Sequence, residues 1–186
     1  MKFEVQHKRR QKNEIIKAME ERRSIRKFKA EMPPKEQIGQ IVEAGLYAAS
    51  GMGRQATAIV VVTNRELRDR LSALNCAIGG WPKDFDPFYG APAILIVLAR
   101  KECFTSIYDG SLVMGNLMLA AHSLGLGSIW IHRAKEEFER ADGRKLLKTL
   151  GIDGEWEGIG HCAIGYIDGD SPKAAPRKDG RVFWAE

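Results

Sequence analysis

The chain has 186 residues, of which 44% are apolar and 28% charged, with a formal net charge of +5. That length supports one domain with a proper core, and the composition excludes a disordered chain. The cationic excess favours an anionic ligand but is too mild to require nucleic acid.

Residues 1–12 are polar and basic and read as a loosely held arm ahead of a single domain over residues 13–186. Asn13 is placed to cap a short helix to Glu21, with Ile15, Ile16 and Met19 as its apolar stripe. Arg22-Arg23-Ser24-Ile25-Arg26-Lys27 follows, a strip of cations at or just past a helix end. Guanidinium groups bind phosphate in a bidentate manner, and a serine hydroxyl adds a donor. A solvated basic run would look the same. Pro33-Pro34 leads into an amphipathic helix over 35–48, spaced by Ile38, Ile41, Val42, Gly45 and Leu46. Ser50 to Gln55 is a glycine-bearing loop, and Ala58 to Val62 is a β-branched run that suits a buried strand.

Thr63-Asn64-Arg65-Glu66 has capping-box spacing and starts a helix to about Leu74. Ile78 to Gly90, with Trp81, Phe85, Phe88 and Tyr89, is an irregular loop whose aromatic rings either line a substrate mouth or simply pack it. Ala93 to Leu98 is a second buried strand. Residues 108–124 form a helix apolar on nearly every face, central or at a dimer interface, with Gly125 as its left-handed cap. Ser128 to Ile131 is a third strand. Residues 135–150 are helical with a break at Asp142-Gly143, and Lys135-Glu136-Glu137 reads as a solvated face. His161 to Tyr166 is a fourth strand, which makes Cys162 an inert buried thiol and His161 a packing histidine. The tail carries a second basic pair, Arg177-Lys178. Helices on both sides of a sheet buried on both faces give an α+β or α/β sandwich.

Cys76, Cys103 and Cys162 are odd in number and widely spaced, with no CxxC, so neither a disulfide framework nor a zinc site is expected. The start of the chain lacks the apolar run of a signal peptide, and the stretch from Leu112 to Leu126 is too short and too interrupted to span a bilayer. A cytoplasmic location follows as the expectation. No GxGxxG follows a strand, so no separate dinucleotide domain is expected.

Taken together, Arg22-Arg23-Ser24-Ile25-Arg26, the loop ending in Arg54-Gln55, Tyr89-Gly90-Ala91-Pro92, Gly125-Leu126-Gly127-Ser128 with Trp130-Ile131-His132-Arg133, and Pro176-Arg177-Lys178 resemble the FMN-dependent nitroreductase family over roughly residues 13–180. The resemblance implies an α+β sandwich with a mostly antiparallel sheet flanked by helices, in an intertwined homodimer holding FMN at the subunit interface. It implies that Arg22, Arg23, Ser24, Arg177 and Lys178 hold the phosphate and ribityl chain. Arg26 lies nearer the ring, Asn75 lies near the pyrimidine edge, and Ile131, His132 and Arg133 run beside the reactive edge. Gly53 and Gln55 come from the partner subunit. Where the family commonly has Ser-x-x-Asn-x-Gln-Pro-Trp, Gly53 replaces the asparagine here and Ala56-Thr57 replaces Pro-Trp.

The implied activity is hydride transfer from NAD(P)H through FMN to electron-poor small molecules such as nitroaromatics or quinones, by a ping-pong cycle. No catalytic side chain and no metal are required, because the cofactor supplies the chemistry. No nucleic acid or membrane partner is expected. Two other readings use the same residues: a non-redox basic module for a phosphorylated ligand or nucleic acid, and a flavin-dependent dehydrogenase or oxidase of the same family.

Overall fold

A computed structural model describes residues 13–186, and the expected arm over 1–12 lies outside the described residues. Four antiparallel strands form the central sheet in the order β1-β2-β4-β3: β1 Thr57–Val62, β2 Ala93–Arg100, β3 Gly127–Ile131 and β4 Trp156–Gly165. β2 and β4 are central because they are apolar on both faces, and seven consecutive residues of β2, Ala93 to Ala99, are inaccessible to solvent. Alternate residues feed two cores. Leu95, Val97, Cys162 and Ile164 pack on one side with Ile38, Ile41, Met114 and Leu117 from helices α2 (Lys35–Leu46) and α4 (Ser106–Ser123). Ile94, Ile96, Leu98 and Ala163 pack on the other with Leu71, Phe138 and Leu147 from α3 (Arg65–Gly79), α5 (Ala134–Glu139) and α6 (Ala141–Thr149).

Helix α1 (Glu14–Glu21) is capped by Asn13, whose side chain accepts from the Ile15 amide at 2.9 Å. Its apolar stripe finds no core among the described residues: Ile15, Ile16 and Met19 are each more than half exposed. The long helix α4 buries Val113, Met114, Leu117 and Ala121 but leaves Ile107, Tyr108 and Leu112 in solvent. Gly125 takes the left-handed conformation expected after it, at φ 76°.

Four local expectations are corrected. The cap of α3 is Asn64, whose side chain accepts from the Leu67 amide at 2.8 Å, and not Thr63. That helix also runs past Leu74 to Gly79, because Asn75 and Cys76 have buried partners that reward another turn. The break between α5 and α6 falls at Arg140, in extended geometry. Gly143 sits inside α6, where a side chain would collide with the backbone of Glu137 and Phe138. Glu137 is not on a solvated face but fully buried, hydrogen-bonded to His161.

Candidate functional site

Strand β3 organises the site. At its start Ser128, itself buried, pairs with Ser24, and the Ile25 amide donates to the Ser128 carbonyl at 3.0 Å. Gly127 permits this approach, since a side chain there would press on Ile25. The cationic strip is therefore hung on β3 directly after α1 ends. Just past the end of β3, the Asn75 amide nitrogen donates to the His132 carbonyl at 2.8 Å. The two anchor points, Ser128 and His132, lie about 13 Å apart along the strand.

The strip holds donors that the chain itself does not satisfy. The Arg22 Nη1 and Arg23 Nε atoms are buried without a hydrogen-bond partner among the described residues. Arg23 uses Nη1 to bond the carbonyls of Glu20 and Arg22, at 2.6 and 2.7 Å, which fixes its guanidinium in place. Arg26 is exposed beside it. At the other anchor, Asn75 is fully buried and its Oδ1 has no partner among the described residues. Buried polar groups are normally paired, so unpaired donors and an unpaired acceptor mark places where a ligand can bond. Burial pushes the Cys162 thiol, on β4 opposite Trp130, up to about 12, with nearby Arg22 opposing that shift. As a thiol it is inert.

The turn after β3 is unusual. Ile131 is buried, His132 is exposed, and Arg133 takes the left-handed conformation at φ 78°. That conformation is uncommon for a side chain of its size. Arg133 then bonds Glu136 at 2.8 Å, and this cation holds the Glu136 carboxyl below its ordinary value against a smaller push upward from burial.

The loop over residues 80–90 packs against α3 next to Asn75, where the Cys76 thiol donates to the Pro82 carbonyl at 3.1 Å. Burial pushes the Asp86 carboxyl up, but hydrogen bonds from Arg68, Ser72 and the Gly90 amide outweigh that and hold it below its ordinary value. Arg68, buried in α3, also donates from Nε to the Ala91 carbonyl at 3.0 Å. Phe88 is part of the core, while Trp81, Phe85 and Tyr89 form an edge-to-face chain with centroid spacings of 5.4 and 5.8 Å. Of the four aromatic residues, Phe88 is settled as packing, and the other three remain at least partly accessible.

Gly53 and Gln55 lie in an exposed turn, at φ 64° and φ 49°. Arg177 and Lys178 are exposed in the extended tail, where Arg177 bonds the Ala175 carbonyl. The structure thus brings Arg22, Arg23, Ser24, Asn75, Ile131, His132 and Arg133 to one strand. The Gly53 turn and the tail lie on other parts of the chain. Sequence reasoning missed Arg68 and Asp86, whose partnership across 18 positions leaves no spacing signal.

These features define an α+β protein with a cationic strip and a buried amide at two points along one central-sheet strand, a site suited to an elongated ligand with an anionic end and a polar head. The nitroreductase family model matches residues 19–78 and 80–166, and the chain belongs to that family. It is similar to the crystal structure of a nitroreductase with bound FMN from Bacteroides fragilis, with a TM-score of 0.84 at 27% identity over 94% of this chain and 100% of the other. A nitroreductase with bound FMN from Desulfitobacterium hafniense gives a TM-score of 0.83 at 29% identity, with the same coverage. An NADPH-flavin oxidoreductase of Vibrio harveyi is 29% identical over 180 residues, 91% of this chain and 72% of its own length. The matched regions span 61% and 53% of the length of relatives from Methanothermobacter thermautotrophicus and Bacillus subtilis.

Proposed function

We propose that the chain is an FMN-dependent NAD(P)H oxidoreductase. It would pass reducing equivalents to electron-poor small molecules, nitroaromatics or quinones, in a ping-pong cycle. The single observation behind this reading is the set of unpaired buried atoms at the β3 site: the Arg22 and Arg23 donors by the strip and the Asn75 Oδ1 acceptor beyond the end of the strand. FMN has complementary chemistry, a dianionic phosphate on a polar chain and a flat ring whose edge carries donors and acceptors. Arg22, Arg23 and Asn75 would hold such a group, which would supply hydride and electron-transfer chemistry between a nicotinamide and the acceptor.

The chain's own residues bind and orient. Arg22, Arg23 and Ser24 hold the phosphate and ribityl end, and Arg177 and Lys178 close on it from the tail. Arg26 favours negative charge on the ring. Asn75 fixes the His132 carbonyl while its own Oδ1 faces the ring's polar edge, and the backbone of 131–133 aligns the reactive edge. No side chain acts as nucleophile or acid.

The assembly is a homodimer in this reading, with FMN at the subunit interface and Gly53 and Gln55 serving the partner's site. Support comes from the apolar surface left uncovered among the described residues: Ile15, Ile16 and Met19 on α1, and Ile107, Tyr108 and Leu112 on α4. Exposed apolar groups of this extent mark association surfaces. A cytoplasmic setting belongs to the same reading. No described helix is long and apolar enough to cross a membrane.

The test is a titration of apoprotein with FMN and with riboflavin, followed by steady-state kinetics with each nicotinamide against nitro, quinone and enone acceptors. FMN is expected to bind far more tightly than riboflavin, since each charge-assisted contact contributes about 1.5–3 kcal/mol. Equal affinity for the two would end the proposal. Light scattering that gives a monomer still holding FMN would end the dimer assignment.

A further inference from the structure

Glu137 and His161 are both inaccessible to solvent, with His161 Nε2 2.7 Å from Glu137 Oε2. The family function described above makes no use of them. Buried ionisable pairs are poor devices for stability alone, because desolvating both groups offsets most of their attraction. What this pair does have is position. The Glu137 amide donates to the Arg133 carbonyl at 3.0 Å, so Glu137 is tied to the left-handed turn. His161 stands opposite Ile131 in the β3–β4 ladder. The pair therefore brackets residues 131–133 from both ends.

The same imidazole reaches the 80–90 loop. Its ring lies 5.3 Å from that of Phe88, tilted by 52°. The Arg68 guanidinium sits over Phe88 at 5.4 Å, and Arg68 holds Asp86 and the Ala91 carbonyl. Phe88 is fully buried within the 80–90 loop and cannot shift without moving Arg68 or His161. Close packing continues on the strand side, where Gly158 lets the backbone of Ala134 rest against β4.

We propose that the buried stack Arg68–Phe88–His161–Glu137 is a positioning device that holds two walls of the flavin slot, the 80–90 loop and the 131–133 turn, in one register. Its members touch neither cofactor nor substrate. They act through the 131–133 turn and through the 80–90 loop, which the stack joins. The inference rests on the FMN reading of this site.

The test uses the full-length apoprotein and three variants, His161→Gln, His161→Leu and Phe88→Leu, followed by hydrogen exchange. His161→Gln keeps a donor for Glu137, and His161→Leu removes it. In His161→Leu, exchange is expected to rise together in segments 81–92 and 128–138, while β1, β2 and α4 stay protected. FMN affinity should fall about threefold to thirtyfold, and His161→Gln should recover most of both effects. A uniform rise across the core, a rise in one wall alone, or equal behaviour of the Gln and Leu variants would overturn the proposal. If His161→Leu does not fold, Phe88→Leu must show the same paired rise. Failure of the wild-type apoprotein to bind FMN would refute the flavin reading, and the exchange pattern would still judge the coupling.

Discussion

The 80–90 loop near Asn75 and the 50–55 loop, which lies away from the β3 site, are built in opposite ways. The 80–90 loop is fastened to the core from within its own chain: Asp86 accepts from Arg68, Ser72 and the amides of Phe88 and Gly90, and Phe88 is buried. The 50–55 loop is mostly closed on itself. Gly53 and Arg54 donate to the carbonyls of Ser50 and Gly51, the Gln55 amide donates to Ser50 Oγ, and the Gly51 amide reaches Asp109 at 3.0 Å. Met52, Gly53 and Gln55 all take positive φ, and Met52 stands two-thirds exposed. A loop that serves its own subunit can be anchored by that subunit's core. In the proposed dimer, a loop that serves a neighbour would have to hold its shape by local turns until the neighbour covers it.

The sharpest break of this contrast is Asp86→Ala. It leaves the Arg68 cation, 4% exposed, without its main partner. A loss of about 3 kcal/mol is expected in urea denaturation, and a loss under about 1 kcal/mol would show that the loop is not core-anchored. The clamp also has a pH signature. Asp86 is held below the ordinary value of 3.8, so its contribution is complete above that value and disappears as pH falls through the lower folded value. Trp81 fluorescence should therefore stay constant down to about pH 4 and change only below it. A transition near pH 6 would assign the anchoring to another group.

Arg22→Ala is next in size. It should weaken FMN by about 1.5–3 kcal/mol without lowering the unfolding midpoint, because Arg22 sits outside both apolar cores. Retained flavin after dialysis would reduce the cationic strip to surface charge. The tail gives a similar but separable expectation. Arg177→Ala should lower FMN affinity, and light scattering should show the proposed dimer intact.

The smallest effect belongs to the self-closed loop. Gly53 has φ 64° and open space where a side chain would start. Asparagine tolerates that conformation better than most residues. Gly53→Asn should leave stability within about 0.5 kcal/mol and tighten FMN by about 0.5–1.5 kcal/mol, one neutral hydrogen bond. Unchanged or weaker FMN binding would mean that this loop does not reach a partner's cofactor.

What the sequence alone determined is what local pattern can encode. The Asn13 cap, the Gly125 stop and the helical spacing from Ile38 to Leu46 formed as read, because propensity and periodicity act over a few residues. Ala58 to Val62 formed its strand, but at the sheet edge with Val61 exposed, not buried as its apolar run suggested. The cationic strip and Asn75 were singled out because their order along the chain matches a family pattern, and their roles belong to the proposed function. Tertiary structure decided whatever depended on distant partners. The helix that should have stopped near Leu74 continued to Gly79 because Asn75 meets His132, 57 positions away. Glu137 looked like one more solvated charge among Lys135 and Glu136, yet it is buried against His161, 24 positions on. A charge pattern records only which groups are present. Burial depends on which strand and which helix face each other, and those contacts exist only once the chain has closed its sheet.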